Sequence, residues 1–157
     1  EFLVKLIRER LSFSGQEVLV DAYAGVGTFA VLLAPFVQQV LAIEESAAAV
    51  RDARANASGL SNVEFFRGKT EDVFASFIEK PSVVVLDPPR TGCHPNVLVA
   101  LARLAPERVV YVSCDPESLA RDLDQLAQGP FEVLDVQPID MFPQTPHIEC
   151  VVRLDKK

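Results

Sequence analysis

The chain has 157 residues, 49% of them hydrophobic, which suits one cored domain spanning 1–157. No apolar stretch approaches the ~20 residues needed to cross a bilayer, and the opening EFLVKLIRERL mixes charged and apolar residues with a helical period rather than as a signal peptide, so a soluble cytoplasmic protein is expected. A net charge of −7 argues against this chain gripping nucleic acid by itself, because displacing counter-ions from phosphates calls for clustered Lys and Arg.

Glu1 opens the chain and Met141 is its only methionine, which points to a piece of a longer protein. Cys93, Cys114 and Cys150 are far apart and lack CxxC spacing, so neither a disulfide framework nor a zinc site is expected.

Five short apolar runs, at 17–21, 40–44, 63–66, 83–87 and 109–113, read as buried strands. Helical patterns lie between them: Val50, Ala53 and Ala57 share one stripe, and Leu119, Leu123 and Leu126 share another. Strands alternating with helices predict an α/β fold, a mostly parallel Rossmann-like sheet with helices on both faces. After Gly129 and Pro130 two strand-like runs, FEVLDVQPID and HIECVVRLD, have no helix between them and predict a C-terminal antiparallel hairpin.

In VLVDAYAGVGTFAVLLA a strand ends at Asp21, a loop carries Gly25 and Gly27, and a helix starts near Thr28. Glycines let backbone approach a ligand closely, and a helix start offers unpaired N–H groups. Gly25-x-Gly27-x-x-Ala30 also fits the dinucleotide fingerprint, with Glu44 roughly 20 residues on to hold a ribose hydroxyl. Asp21 weighs against that alternative: it would repel a pyrophosphate but attract the ammonium of a methionine moiety. An adenosine-type cofactor is the expectation.

VVVLDPPRTG puts Asp87 at the carboxyl end of a strand, where open sheets bind ligands. Asp-Pro-Pro there also resembles the Asp/Asn-Pro-Pro sequences of adenine-N6 methyltransferases, which supplies a second reading, methylation of nitrogen on a base or a protein. VVYVSCDPESLARDL has the next strand ending at Ser113 and Cys114, with Asp115 as helix N-cap and Pro116 at the first helical position. The helix dipole favours a thiolate at Cys114, while Asp115 and Glu117 oppose it. His147 and Glu149, two apart at the entry to the last strand, share a face. The histidine is expected to be structural. A carboxylate beside Ile, Cys and Val is costly unless paired or used, and desolvation would raise its pKa toward that of a general base.

Taken together, the Asp21 to Phe29 loop, Glu44, DPPR with Gly92, the Ser-Cys-Asp-Pro segment and the closing DMFPQTPHIE resemble the RNA 5-methyluridine methyltransferases, across nearly the whole chain. The resemblance implies S-adenosyl-L-methionine as cofactor and a uridine in tRNA or ribosomal RNA as substrate. It implies Cys114 as the nucleophile that attacks carbon 6 of uracil and Glu149 as the base that removes the carbon 5 proton. Cofactor contacts carried over fall on Tyr23, Thr28, Glu44 and Asp87, with Lys69 at a variable position. The family commonly has Asn where this chain has Asp115. A family glutamine upstream of the first helix, an N-terminal RNA-binding module and, in many members, an iron-sulfur segment would lie before the first residue here, and RNA gripping is expected to reside there. A nucleotide-binding module without chemistry is the third reading.

Overall fold

The computed structural model describes residues 2–77, 80–140, 144 and 148–157. In chain order the elements are α1 (Phe2–Leu11), β1 (Val18–Ala22), α2 (Thr28–Leu33) running into a 3-10 turn (Ala34–Phe36), β2 (Gln39–Glu44), α3 (Ala47–Asn56), β3 (Val63–Arg67) and α4 (Thr70–Ser76). They continue with β4 (Val83–Leu86), α5 (Pro95–Leu104), β5 (Arg108–Ser113), α6 (Pro116–Gln128), β6 (Phe131–Ile139) and β7 (Glu149–Lys156). No described helix is long and apolar enough to cross a membrane.

The strands form one sheet in the order β3-β2-β1-β4-β5-β7-β6. β1 to β5 run parallel, and β7 is antiparallel to both of its neighbours. The expected α/β class, the parallel sheet and the antiparallel hairpin are all present. One detail differs in kind: β7 does not simply follow β6 outward but inserts between β5 and β6. Its apolar run Cys150–Val152 is buried, whereas most of β6 is exposed, so the more apolar strand takes the inner position. The first and fourth strands also shift slightly, β1 reaching Ala22 and β4 stopping at Leu86, one residue before Asp87.

Side chains alternate across the sheet with a period of two, and the two faces build two cores. On β4, Val83 and Val85 pack with Ile7 and Leu11 of α1 and Phe29 and Leu33 of α2. Val84 and Leu86, with Tyr111 of β5, pack instead with Phe74 of α4, Leu101 of α5 and Leu119 of α6. The helices are thus sorted onto both faces, α1 and α2 on one and α4, α5 and α6 on the other.

Polar contacts lock α1 to the sheet. Arg108 donates to the carbonyl of Leu11 and, at 3.0 Å, to Glu17, whose carboxylate also accepts from the backbone N–H and the hydroxyl of Ser14. Burial alone would raise the Glu17 pKa, but those hydrogen bonds outweigh it and hold the carboxyl at about 2. Arg153, paired with Asp155, donates to the carbonyl of Arg10, which itself pairs with Asp135 of β6.

β1 and β4 are adjacent, and from them the connections run in opposite directions across the sheet. Such a switch point leaves a crevice at the carboxyl ends of the strands.

Candidate active site

The loop after β1 crosses that crevice. Tyr23 adopts φ +66° and Gly25 and Gly27 adopt +55° and +81°. The loop is pinned by main-chain bonds: the N–H of Ala24 donates to the carbonyl of Ile43 (2.8 Å) and that of Gly27 to the carbonyl of Ala24 (2.8 Å). Glu44, the last residue of β2, accepts the N–H of Gly25 on one carboxylate oxygen (2.9 Å) and the N–H of Ser46 on the other (2.7 Å). Gly27 is favoured by its φ of +81°, and a Cβ there would in addition be crowded, 3.2 Å from the Cβ of Ala53 and 3.4 Å from the Phe65 ring. A Cβ on Gly25 would meet nothing within 4 Å, so backbone is bare on that side.

Asp21 lies beneath this loop and is fully buried. Its Oδ2 accepts the N–H of Ala30 in α2 at 2.8 Å, while Oδ1 has no partner among the described residues. Burial drives its pKa up to about 7, against the Ala30 hydrogen bond and with help from the charges of Asp87 and Glu44.

A cleft of about 870 Å³ opens beside the loop, lined by Tyr23, Glu44, Lys69 and Asp87 among others. Four of the sequence-derived cofactor positions thus come together. Asp21, Gly25, Gly27 and Thr28 do not line the cleft; they build the turn that forms one of its walls. Lys69 is exposed at the N-cap position of α4. Asp87 opens onto the cleft, yet desolvation by the surrounding protein, reinforced by the charge of Glu149, lifts its pKa to about 6.

The opposite wall is the segment 87–95. The N–H of Gly92 closes a turn onto the carbonyl of Pro89 (2.8 Å), and the N–H of His94 donates to the Tyr23 hydroxyl at 3.2 Å, tying this wall to the first loop. Cys93 is buried, and burial raises its thiol to about 12.

Beyond β4 the sheet brings the C-terminal strand to the site. The β5–β7 register ends with Ser113 opposite Cys150, with Cys114 just past the end of β5 and Glu149 at the start of β7. Both are half-buried. Burial raises the Glu149 pKa and the positive charge of Arg90 works against that rise. Asp115 occupies the N-cap position of α6, but its side chain does not cap the helix as the sequence suggested. Instead its N–H donates to the hydroxyl of Ser113 (3.1 Å), and its carbonyl accepts from the hydroxyls of Ser113 (3.0 Å) and Ser118 (3.2 Å). His147 lies outside the described residues.

Sequence reasoning passed over one group, Asp122. It is buried in α6 and accepts from the Tyr111 hydroxyl (2.6 Å), the Cys93 N–H (2.7 Å) and the Arg121 guanidinium (2.9 Å). The signal was present: 122 follows Leu119 by three and precedes Leu126 by four, so an acid stands on the apolar stripe of α6.

A doubly wound sheet with a cleft of this shape at its switch point is the architecture of Rossmann-like methyltransferases, and similar solved structures agree. The chain belongs to the tRNA (uracil-5-)-methyltransferase family, whose model matches residues 7–157. It is 46% identical over 157 residues to an uncharacterized RNA methyltransferase of Synechocystis, covering 98% of this chain and 34% of that protein. An uncharacterized RNA methyltransferase of Thermotoga maritima is 40% identical over 156 residues, covering 98% of this chain and 36% of that protein. Among solved structures, the tRNA (uracil-54, C5)-methyltransferase of Pyrococcus abyssi, in complex with S-adenosyl-L-homocysteine, superposes with a TM-score of 0.82 at 34% identity, over 97% of this chain and 37% of that one. A putative RNA methyltransferase of Pyrococcus horikoshii shares the fold, with a TM-score of 0.76 at 19% identity over 98% of this chain and 81% of that one. The chain spans about a third of the length of the curated relatives it matches.

Proposed function

We propose that the chain is the catalytic part of an RNA (uracil-5-)-methyltransferase that uses S-adenosyl-L-methionine, with Cys114 as nucleophile and Glu149 as base. The observation that supports this reading is the β5–β7 register, whose last pair, Ser113 opposite Cys150, directly precedes Cys114 on one strand and follows Glu149 on the other. Family membership and the likeness to the Pyrococcus abyssi enzyme support the same chemistry.

The cleft suits the cofactor. Its volume falls within the ~300–1,000 Å³ usual for small-ligand sites. The bare backbone at Gly25 admits close approach, and the acidic groups Glu44, Asp87 and buried Asp21 suit a cation bearing ribose hydroxyls. Tyr23, Glu44, Lys69 and Asp87 would hold it from the lining, and Gly25, Gly27 and Thr28 would shape the loop. Bound there, it supplies an electrophilic methyl group.

Carbon 5 of uracil is a weak nucleophile until carbon 6 is saturated. The Cys114 thiolate bonds to carbon 6, the displaced electron pair moves onto the carbon 4 carbonyl as an enolate, and carbon 5 becomes electron-rich. Once carbon 5 carries the methyl group, Glu149 takes its remaining proton. The released pair re-forms the 5,6 double bond and expels the Cys114 thiolate. Partial burial of Glu149, which raises its affinity for a proton, fits that role. The base must leave its stack to reach such a site.

The test is to incubate the longest natural form of the protein with S-adenosyl-L-methionine and 5-fluorouridine-substituted tRNA or ribosomal RNA. Fluorine cannot leave as a proton, so a denaturation-resistant protein–RNA adduct should accumulate and vanish in Cys114→Ala. Methylation without any adduct would refute the nucleophile and favour nitrogen methylation through Asp87-Pro88-Pro89.

A further inference from the structure

The Asp122 cluster is the most elaborate polar arrangement near the site, and none of the chemistry above uses it. Its carboxylate is 1% exposed and every group around it is a donor. Oδ2 accepts from the Cys93 N–H and the Tyr111 hydroxyl, and Oδ1 from the Nε (3.1 Å) and Nη2 (2.9 Å) of Arg121. Arg121 Nη2 also donates to the carbonyl of Thr91 at 2.8 Å. Four donors meet the acceptor sites of two oxygens, which is what a buried carboxylate needs and what an amide cannot offer.

The cluster joins three elements that matter separately. Asp122 lies in α6, which begins two residues after Cys114. Tyr111 lies in β5, which delivers Cys114. Thr91 and Cys93 belong to the segment that carries Asp87 and Arg90, and His94 continues it to the Tyr23 hydroxyl. Gly92 is pressed against the cluster at φ +82°: a Cβ there would come within 2.6 Å of Asp122 Oδ2 and 2.4 Å of Arg121 Nη2. A side chain there would carry the strain of that φ and would displace the Arg121 guanidinium and crowd the buried Asp122 carboxylate.

Building on the proposed function, we infer that Asp122 is a positioning residue for methyl transfer: it holds the 87–94 wall against α6 and so sets the Asp87 and Tyr23 side of the cleft relative to Cys114. Arg121 and Asp122 also border the cleft, but with its buried carboxylate taken up by these donors Asp122 acts through that wall. Buried ionic clusters are poor sources of net stability, whereas a misplacement of about 1 Å at an active site can cost on the order of a hundredfold in rate.

Asp122→Asn and Gly92→Ala perturb the junction in different ways, one by putting an amide among donors, the other by pushing the wall off an intact carboxylate. Each is measured for thermal unfolding, for labelling of Cys93 by a thiol reagent under native conditions in a Cys114→Ser, Cys150→Ser background, and for S-adenosyl-L-homocysteine affinity by calorimetry. In the longest natural form of the protein, with its other cysteines intact, kcat and KM for RNA are measured as well. Both variants should remain folded and label Cys93 about tenfold faster, since the wall opens more readily. Both should lose about tenfold to a hundredfold in kcat, with KM for RNA changed less than about threefold. Arg121→Gln added to Asp122→Asn should recover part of kcat, because the glutamine carbonyl can accept from the new amide. Unchanged Cys93 labelling with kcat within about twofold of wild type would overturn the inference, as would a kcat loss that merely tracks the unfolded fraction. If wild type methylates no RNA, the proposed function fails; labelling and cofactor affinity then decide the Asp122 role, and a shift in neither removes it.

Discussion

Asp21 combines full burial, an Oδ1 with no partner among the described residues and a pKa raised to about 7, so it titrates near neutral pH. Its ordinary value is 3.8, and a raised acid means the folded state holds the proton more tightly than the unfolded chain. The stability it contributes is therefore complete below 3.8 and is lost as pH rises through about 7. A cationic ligand above it favours the ionised form, so affinity for S-adenosyl-L-methionine should increase from about pH 6 to pH 8. Asp21→Asn keeps an oxygen for the Ala30 N–H but has no charge to develop. It should raise the melting temperature of the ligand-free protein at about pH 8, an effect of up to a few kcal/mol, while weakening the ligand and flattening its pH dependence. Calorimetry across that pH range, paired with thermal melts, checks both signs. A wild-type affinity that stays level, or a variant less stable than wild type at the alkaline end, would contradict this account of Asp21.

The turn between β1 and α2 separates two uses of glycine that look alike in sequence. Gly27 faces Ala53 and Phe65, so Gly27→Ala adds a clash to the strain of φ +81° and should cost about 1–3 kcal/mol of stability, leaving ligand affinity of the folded fraction nearly intact. Gly25 faces open space, so Gly25→Ala should cost the fold only about 1 kcal/mol of backbone strain but weaken the cofactor by a larger factor. Thermal melts and calorimetry on the two variants should give opposite patterns; equal losses of stability would show that the second glycine is not distinct. Such differences of partner are what the sequence left hidden. The five parallel strands were legible because each is a short apolar run, and the turn after β1 because Asp21, Gly25 and Gly27 are closely spaced in the chain. The insertion of β7 beside β5 was not, since hairpin pairing says nothing about which strand joins the existing edge. Asp122 was missed for a related reason. An acid in a helix reads as solvated until the preceding strand β5 folds back beside it with Tyr111 as a donor and the 87–94 segment, about thirty residues earlier in the chain, supplies Cys93 as another.

Across the molecule, 22 acidic residues outnumber 15 basic ones, and several of the basic groups are already committed. Arg10, Arg108, Arg121 and Arg153 already pair with Asp135, Glu17, Asp122 and Asp155 and are poorly placed to release counter-ions from RNA. The cleft is itself acidic, with Glu44, Glu45, Glu71 and Asp87 in its lining, which suits a cation and disfavours a phosphate backbone. Helices cover both faces of the sheet, each over its own apolar core. These features predict a dissociation of two abilities. The chain alone should bind S-adenosyl-L-homocysteine, yet bind tRNA or ribosomal RNA no more tightly than about 10⁻⁵ M at about 0.1 M salt, with a shallow dependence on salt concentration. Filter binding across a salt series, with calorimetry on the same preparation, measures both. Submicromolar RNA binding with a steep salt slope would mean that basic groups such as Lys69 in the cleft lining form a phosphate-tracking surface strong enough to overcome the net charge, and RNA grip would then belong to this domain.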